Sequence, residues 1–257
     1  MENIACIILF RVSTGVLLGG EIMGTMWKVP VLTQVILVLM EYINLSPRFY
    51  SKETVASALA NYVSGLSSWR TMLPHSTLLY YHRRLSYVKY AVPLSGVYAI
   101  DEAKVRLTNG QYYYVWIVRD VKTKAIPFFM ITSVRSGVHV LVVLANMKRA
   151  EEIARRIFKV RMDKVIYLHD GATAYNAFSW LNVEHEKVMF NERDYAEQGF
   201  RSLKHRLASM DFHFPWNSNK FTIVRWLSTF FLIYNILYTP TYLLDKGVII
   251  NVNISNE

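Results

Sequence analysis

The amino-acid sequence predicts an α/β protein, in which a mixed sheet carries helices on its faces and a smaller helical region precedes it. Three consecutive strand patterns, rich in aromatic and β-branched residues, lie within residues 94–134. A long helical pattern follows over about 138–158, and after it comes a short apolar strand that ends at Asp170. Three antiparallel strands followed by alternating helices and strands indicate a mixed sheet covered by helices.

The first 45 residues form an apolar leader to which the sequence assigns no chemistry. The leader lacks the basic start of a signal peptide and is interrupted by Arg11. Its uncharged run over 29–40 is too short to span a bilayer. Alternative translation starts lie within it, at Met23, Met26 and Met40.

Residues 46–92 show three short helical patterns, which together predict a helix-turn-helix. Ser51 stands where it can cap the first pattern, and the second spans 66–72. The third carries Arg83 and Arg84 on its polar side, so we expect this region to bind DNA. The same patterns also fit a small helical bundle that serves only for packing.

The α/β region extends over 93–245 and is followed by a tail, residues 246–257. Asn109-Gly110 separates the first two strand patterns and is a strong signal for a two-residue hairpin. Beyond the strand that ends at Asp170, the pattern continues through a short helix and another strand to a final helix over 191–210.

An uncharged apolar segment over 226–244 approaches the length of a membrane-spanning helix. The segment contains Asn235 and Pro240, and no second span accompanies it. We therefore predict a buried helix that ends before Pro240, and no association with a membrane.

The composition narrows the class of partner. A net charge of +10 favours a polyanion, with nucleic acid ahead of an anionic membrane surface. The single cysteine, Cys6, excludes an internal disulfide framework and a cysteine-rich zinc site. We expect a reducing, cytoplasmic location, associated with the nucleoid if the partner is DNA.

Asp101 and Asp170 lie on strands that are neighbours in the predicted order. Asp101 follows an apolar run in the first strand, and Asp170 ends a strand at the edge where ligand sites form in open α/β sheets. The final helix would cross one face of the sheet and bring Glu197 to them. Three converging carboxylates without a cysteine suit a hard cation such as Mg²⁺ or Mn²⁺, and without a cation the cluster would be costly to bury.

The final helix combines Glu197 with basic residues that suit phosphate. Arg201 and Lys204 share its face, because residues three and four positions apart lie one above another, and Arg193 lies near its start. The same residues would also form an ordinary surface salt bridge. This helix by itself therefore does not distinguish a phosphate-binding site from a surface salt bridge.

Four other polar residues near these motifs are interpreted as structural. Asp120 is predicted to form a turn, and Asp194 to cap the final helix. Glu102 and His169 are adjacent in sequence to the two aspartates and would therefore point to the opposite face of the sheet. We expect Glu102 to face solvent and His169 to serve the structure.

Three motifs occur in a set order, namely AIDEAKV, LHDGATAY and AEQGFRSLKHRL. With them, the stretch from about residue 95 to residue 238 resembles the catalytic domain of DDE transposases of prokaryotic insertion sequences. The closest resemblance is to the insertion-sequence six family, whose final helix commonly reads E-Q-x-(H/F)-R-x-(I/L)-K. Arg193, Glu197 and Lys204 fit the Arg-x3-Glu-x6-Lys spacing of several such enzymes. Residues 46–85 are similar in placement to the family's DNA-binding helix-turn-helix.

The resemblance implies an RNase H-like fold and a DDE transposase with two bound ions, Mg²⁺ or Mn²⁺. Asp101, Asp170 and Glu197 would be the catalytic and metal-binding residues, with Asp101 between the ions. One ion would activate water and later a DNA 3′-hydroxyl, and the other would stabilise the leaving oxygen. Phosphates beside the metals would be bound by three basic residues of the final helix, Arg193, Arg201 and Lys204.

The resemblance also implies double-stranded DNA, both transposon ends and target, as the partner, and assembly as a homodimer or a larger complex. Two other classes stay open on the sequence. An RNase H-like nuclease or resolvase would use the same metals without strand transfer. An inactive remnant or regulator would keep DNA binding but would not need the carboxylates.

Overall fold

The computed structural model describes residues 7–11, 29–107, 110–188, 213–214, 219–244 and 248–253 of the 257-residue chain. Two compact units make up the fold, one from Met1–Tyr90 with Phe221–Glu257 and the other from Ala91–Lys220. The described helices are α1 (Val29–Tyr42), α2 (Lys52–Val63), α3 (His75–Leu85), α4 (Gly137–Phe158), α5 (Asn176–Trp180) and α6 (Lys220–Tyr238).

Strands β1 (Ile7–Arg11), β10 (Val248–Asn253), β9 (Thr241–Leu243) and β2 (Tyr90–Ala91) form a four-stranded sheet in that order. The second sheet contains β3 (Val97–Leu107), β4 (Tyr112–Asp120), β5 (Phe128–Thr132), β6 (Ile166–His169), β7 (His185–Lys187) and β8 (His213–Phe214). The domain boundaries that the sequence predicts at residues 45, 92 and 245 stay predictions.

Within residues 46–92 the helices follow the predicted pattern with one difference, and α1, in the N-terminal leader, is a helix that was not predicted. The side chain of Ser51 accepts a hydrogen bond of 3.1 Å from the backbone N–H of Thr54, which confirms it as the cap of α2. The second predicted helix is only a single 3₁₀ turn, Ser68–Arg70. It is short because Ser67 caps its start and the chain becomes extended at Thr71, three residues before Pro74.

Helix α6 is long and apolar enough to cross a membrane, but two thirds of its apolar window, 67%, is buried within the structure. The helix ends at Tyr238, two residues before Pro240, so the prediction of a buried helix that ends before this proline is confirmed. The indole N–H of Trp226 donates a hydrogen bond of 3.3 Å to the carbonyl of Tyr62 on α2. This bond joins α6 to the N-terminal helices of the same unit.

His82 is a buried polar residue on α3. Its ring meets Tyr62 edge-on at 5.0 Å between centroids, and its Nε2 atom is buried without a hydrogen-bond partner among the described residues. Burial, together with the charge of Arg225, lowers the pKa of His82 to about 3. The folded protein therefore holds this histidine in its neutral form.

We expect His82→Phe to stabilise the protein, by about 1 to 2 kcal/mol at neutral pH, because it removes an unpaired buried nitrogen and keeps a ring against Tyr62. The gain should grow as the pH falls from about 6.5 towards about 4. In that range the unfolded wild-type chain binds a proton that the folded chain does not, which costs up to about 1.4 kcal/mol per pH unit. Urea unfolding of both proteins at several pH values measures this.

His75→Phe removes a half-exposed histidine of the same helix and serves as the control. Parallel pH profiles for wild type and His82→Phe would show that His82 does not resist protonation in the folded state.

The second unit has the predicted mixed sheet. Its strand order is β5-β4-β3-β6-β7, with β3, β4 and β5 antiparallel and β3, β6 and β7 parallel, and β8 pairs with the far end of β3. Helix α4 lies within one residue of the predicted long helix. The predicted α/β class and its arrangement, a three-stranded meander followed by alternating helices and strands, are confirmed.

One face of this sheet is covered by α4, by α5 and by the 3₁₀ turn Thr173–Tyr175 before α5. Trp116 of β4 is fully buried on that face, where its indole N–H donates a bond of 2.9 Å to the hydroxyl of Thr132. The ring of Tyr175 meets the same indole edge-on at 6.0 Å. Because the side chains of β4 alternate between two faces, those on the same face as Trp116 point towards these helices.

Candidate active site

Asp101 lies on β3, and Asp170 directly follows β6, the parallel strand that pairs with β3. The register of β3 and β6 pairs Ala99 with Leu168, and continuing that register by two residues would align Asp101 with Asp170. The predicted adjacency of these strands is confirmed. Side chains two residues apart in a strand share a face, so this register puts Asp101 on the face to which Ala99 belongs.

A glycine sets the alignment of these two strands. The carbonyl of Gly96, just before β3, accepts a hydrogen bond of 2.9 Å from the backbone N–H of Ile166 at the start of β6. Gly96 has a φ of +92°, and a Cβ atom there would clash with the carbonyl oxygen of Lys164. Only glycine combines this conformation with so close an approach of two backbones.

The two aspartates are held by backbone N–H groups. The Oδ1 atom of Asp101 accepts a bond of 2.8 Å from the N–H of Glu102, and Oδ1 of Asp170 accepts one of 2.9 Å from the N–H of Ala172. The side chain of Asp170 is 39% exposed, so its carboxylate is open to a ligand from solvent. The side chain of Lys187 packs against the backbone of Gly171, the residue after Asp170.

Glu102 does not face solvent, and that prediction was wrong. Its register partner on β4 is Trp116, so it points away from Asp101 as expected, but towards the face that the helices cover. Its side chain is 6% exposed and bonds to two residues, the guanidinium of Arg135 and the hydroxyl of Tyr175. The reason for the error is tertiary, since α4 and the turn that contains Tyr175 bury this face.

The electrostatics of Glu102 reflect this burial. Loss of solvent raises the pKa of its carboxyl above the ordinary value, and the charge of Asp170 raises it further. The hydrogen bond from Tyr175 and the charge of Arg135 oppose that rise. Glu102 is thus a buried acid held by a hydroxyl and a guanidinium.

Tyr175 lies within electrostatic range of all three acids. Burial is the main reason that its pKa is raised, and the charges of Glu102, Asp101 and Asp170 raise it further. Arg135 provides the balancing charge, because its Nη2 atom contacts Glu102 and lies 3.9 Å from Oδ2 of Asp170. The cluster of Asp101, Glu102 and Asp170 therefore combines three carboxyl groups with this directly bound guanidinium.

The donor set at this edge of the sheet fits a divalent cation. Asp101 and Asp170 offer hard carboxylate oxygens, and the side chain of Asp170 is well exposed. Within the part of the chain that the structure describes, no group of three His, Cys, Asp or Glu side chains is arranged to hold a metal ion. A complete site would therefore need a further ligand.

The third predicted carboxylate, Glu197, lies outside the described residues. The same holds for Asp194 and for the predicted phosphate-binding residues, Arg193, Arg201 and Lys204. The roles of these five residues stay predictions, as does the approach of Glu197 to Asp101 and Asp170.

Arg83 and Arg84, predicted to bind DNA, lie at the end of α3 in the first unit. They line an open cavity of about 490 Å³ together with Ile43, Tyr80, Tyr87 and Val88. Hydrogen bonds from Arg83 and Arg225 lower the pKa of the Tyr87 hydroxyl. The cavity thus combines guanidinium groups with exposed aromatic rings, and its described lining contains no acidic residue.

His169 is structural, as predicted. Its ring is buried, Nδ1 accepts a bond of 3.0 Å from the N–H of Gly171, and Nε2 lies 2.9 Å from Nδ1 of His185. Burial and the neighbouring His185 lower the pKa of His169 to about 4. Since Nδ1 accepts from a backbone N–H, Nε2 carries the proton and donates to His185.

Sequence reasoning missed Arg135 and Tyr175. Both come from segments far from Glu102 in the chain, one after β5 and the other in the turn that follows Asp170. Tyr175 occurs within the motif LHDGATAY, which was the available signal, but no local pattern connects it with Glu102.

Comparison with known proteins gives similarities at low identity, and no protein-family model matches the chain. The uncharacterized protein MJ0017 of Methanocaldococcus jannaschii is 28% identical over 172 residues, which cover 66% of this chain and 75% of that protein. The catalytic domain of the Mos1 mariner transposase aligns with a TM-score of 0.40 at 16% identity, covering 75% of this chain and 92% of that chain.

The catalytic core domain of BIV integrase aligns with a TM-score of 0.34 at 11% identity, covering 52% of this chain and 81% of that chain. Structures of the Mos1 catalytic domain with Mg and with Mn also align, with a TM-score of 0.40 each.

Proposed function

We propose that this protein is a DNA transposase, which cleaves the ends of its insertion sequence and joins them to target DNA by metal-dependent phosphoryl transfer. The observation that supports the proposal is the parallel pairing of β3 and β6, whose register, continued by two residues, would align Asp101 with Asp170 just beyond the carboxyl end of β6. Resemblance of the motifs around Asp101, Asp170 and Glu197 to DDE transposases supports the same reaction.

Asp101, Asp170 and Glu197 would hold Mg²⁺ or Mn²⁺, two ions in the proposed enzyme. When bound, such ions increase the acidity of an attacking water or 3′-hydroxyl and stabilise negative charge on the leaving oxygen. The backbone N–H groups of Glu102 and Ala172 orient the two aspartates for this purpose. Arg193, Arg201 and Lys204 would bind the neighbouring phosphates of the DNA strand.

The family, substrate DNA and assembly that we propose follow from the sequence resemblance. We propose a member of the insertion-sequence six family or a close relative, of prokaryotic origin, that acts on double-stranded DNA in the cytoplasm. Such an enzyme would act on transposon ends and target DNA as a homodimer or larger assembly. The helix-turn-helix of residues 46–92 would bind the element ends.

The cavity beside Arg83 and Arg84 supports a DNA contact by α3. We expect the double variant Arg83→Ala and Arg84→Ala to weaken DNA binding by about tenfold or more, because two phosphate-binding charges are lost. The slope of log affinity against log salt concentration should become shallower by about 2. Fluorescence anisotropy with duplex DNA at several salt concentrations measures both quantities.

The control is a double variant that removes the same amount of charge elsewhere, Lys148→Ala with Arg149→Ala. Both residues are exposed on α4. An equal loss in affinity and salt dependence for this pair would show that α3 contributes no more than general positive charge.

The reaction is tested by incubating the protein and Mg²⁺ with labelled DNA that carries the sequences flanking the coding region, together with a circular plasmid. Joined products support a transposase. Cleavage without joining would indicate a nuclease or resolvase instead. DNA binding without cleavage, in Mg²⁺ and also when Mn²⁺ replaces it, would indicate an inactive or regulatory protein.

A further inference from the structure

We infer that Arg135 and Tyr175 are positioning residues, which anchor the side chain of Glu102 and thereby hold the Asp101 carboxylate in place for a metal ion. The inference rests on the proposed function in one respect, namely that Asp101 and Asp170 bind a divalent cation.

The anchor begins with Arg135, which lies between β5 and α4. Its Nη2 atom forms an ion pair with Oε1 of Glu102 and lies 3.9 Å from Oδ2 of Asp170. One guanidinium group therefore reaches carboxylates at both β3 and the end of β6. The planar fork of arginine suits such a bridge, because its donors have a set geometry.

Tyr175 holds the other oxygen of the same carboxylate. Its hydroxyl donates to Oε2 of Glu102, while its buried ring contacts Trp116 at 6.0 Å and His169 at 4.8 Å between centroids. A ring enclosed in this way has little freedom to move, so its hydroxyl is a rigid donor. Glu102 is thus held at both of its oxygens, from two different segments.

The connection from Glu102 to Asp101 runs through one peptide group. The N–H of Glu102 donates the bond of 2.8 Å to Oδ1 of Asp101, so the orientation of that peptide influences where the Asp101 carboxylate lies. Anchoring the Glu102 side chain on the covered face limits rotation of this peptide. Groups that orient metal ligands in this manner typically change metal affinity by about 10- to 100-fold when they are removed.

A different role for Arg135 predicts the opposite sign. If the guanidinium were only a counter-charge to Asp170, a cation would have to displace it, and removing Arg135 would make metal binding tighter. The positioning role predicts weaker binding. Tyr175 distinguishes the two roles as well, because its hydroxyl is neutral and removing it changes no counter-charge.

The experiment measures Mn²⁺ binding by electron paramagnetic resonance of the free ion, with the full-length protein. Arg135→Gln and Tyr175→Phe should each weaken binding about tenfold, and Arg135→Lys should recover part of the loss. Tyr175→Phe keeps the packed ring, so it tests the hydroxyl even where Arg135→Gln lowers stability. Thermal unfolding of each variant shows that it is folded.

Arg155→Gln is the matched control. Arg155 is also partly exposed, at 44% against 35% for Arg135, and it also pairs with a buried glutamate, Glu151, at 3.8 Å on α4. Its loss should leave Mn²⁺ affinity unchanged. Asp101→Asn defines the signal of the site itself and should reduce binding further than any anchor variant.

Unchanged or tighter Mn²⁺ binding in folded Arg135→Gln and Tyr175→Phe would overturn the positioning role while leaving the metal site intact. Equal Mn²⁺ binding by wild type and Asp101→Asn would show that Asp101 does not bind the metal ion. It would therefore reject both the proposed metal site and the positioning role. If wild type and the variants bind Mn²⁺ in the expected order of affinity but wild type shows no strand transfer, the transposase activity is rejected and the positioning role stands.

Discussion

Asp101→Asn should reduce DNA cleavage and joining by about a thousandfold or more, and Asp170→Asn should do the same. The physical reason is that a neutral amide keeps the shape of the side chain but removes the charge that binds a divalent cation. Asp101 lies on β3 and Asp170 directly follows β6, the strand that pairs with β3, and the change adds no volume. Product formation from labelled end DNA in Mg²⁺, followed over time, measures the effect.

Asp163→Asn provides the control for this experiment. Asp163 is an exposed aspartate just before β6, and the same change of charge there should leave activity at the wild-type level. Wild-type rates for folded Asp170→Asn would show that the chemistry does not use this carboxylate and would reject the proposed site.

Asp120→Ala should lower the free energy of unfolding by about 3 kcal/mol or more. Asp120 is fully buried at the end of β4, and its carboxylate accepts bonds from the backbone N–H groups of Ser95, Lys122 and Thr123 and from the Ser95 hydroxyl. Alanine would leave these donors without their partner around a position that is fully buried. The urea midpoint, with the slope checked for constancy, measures the loss.

Two further variants define the cause of that loss. Asp120→Asn keeps an acceptor oxygen in the same place and should lose less than alanine does. Lys122→Ala, at an exposed residue of the same turn, should change stability by less than about 0.5 kcal/mol. A loss below about 1 kcal/mol for Asp120→Ala would mean that water replaces the carboxylate in these bonds.

Patterns local in the chain were predicted correctly from the sequence. The cap at Ser51, the turn at Asp120 and the long helix after the meander depend on neighbouring residues and on hydrophobic periodicity, which can be read directly. The second helix of the first unit, reduced to a 3₁₀ turn, shows the limit of this approach. Periodicity over about seven residues is too short to distinguish a helix from a turn.

In the candidate site, too, only part of the arrangement was predicted from the sequence. The sequence predicted that Asp101 and Asp170 would be on neighbouring strands, because the order of elements restricts which strands can pair. It did not predict the surroundings of Glu102. Alternation along β3 indicated which way this side chain points, but not that Tyr175 and Arg135 would meet it there.

By itself, then, the sequence determined the α/β class and the adjacency of the strands that carry or precede Asp101 and Asp170, because each follows from short-range patterns and chain connectivity. The tertiary structure alone decided that Glu102 is buried and that Arg135 reaches from Glu102 towards Asp170. Burial and charge pairing depend on residues distant in the chain, and the packing of α4 and the turn at Tyr175 against the sheet brings them together.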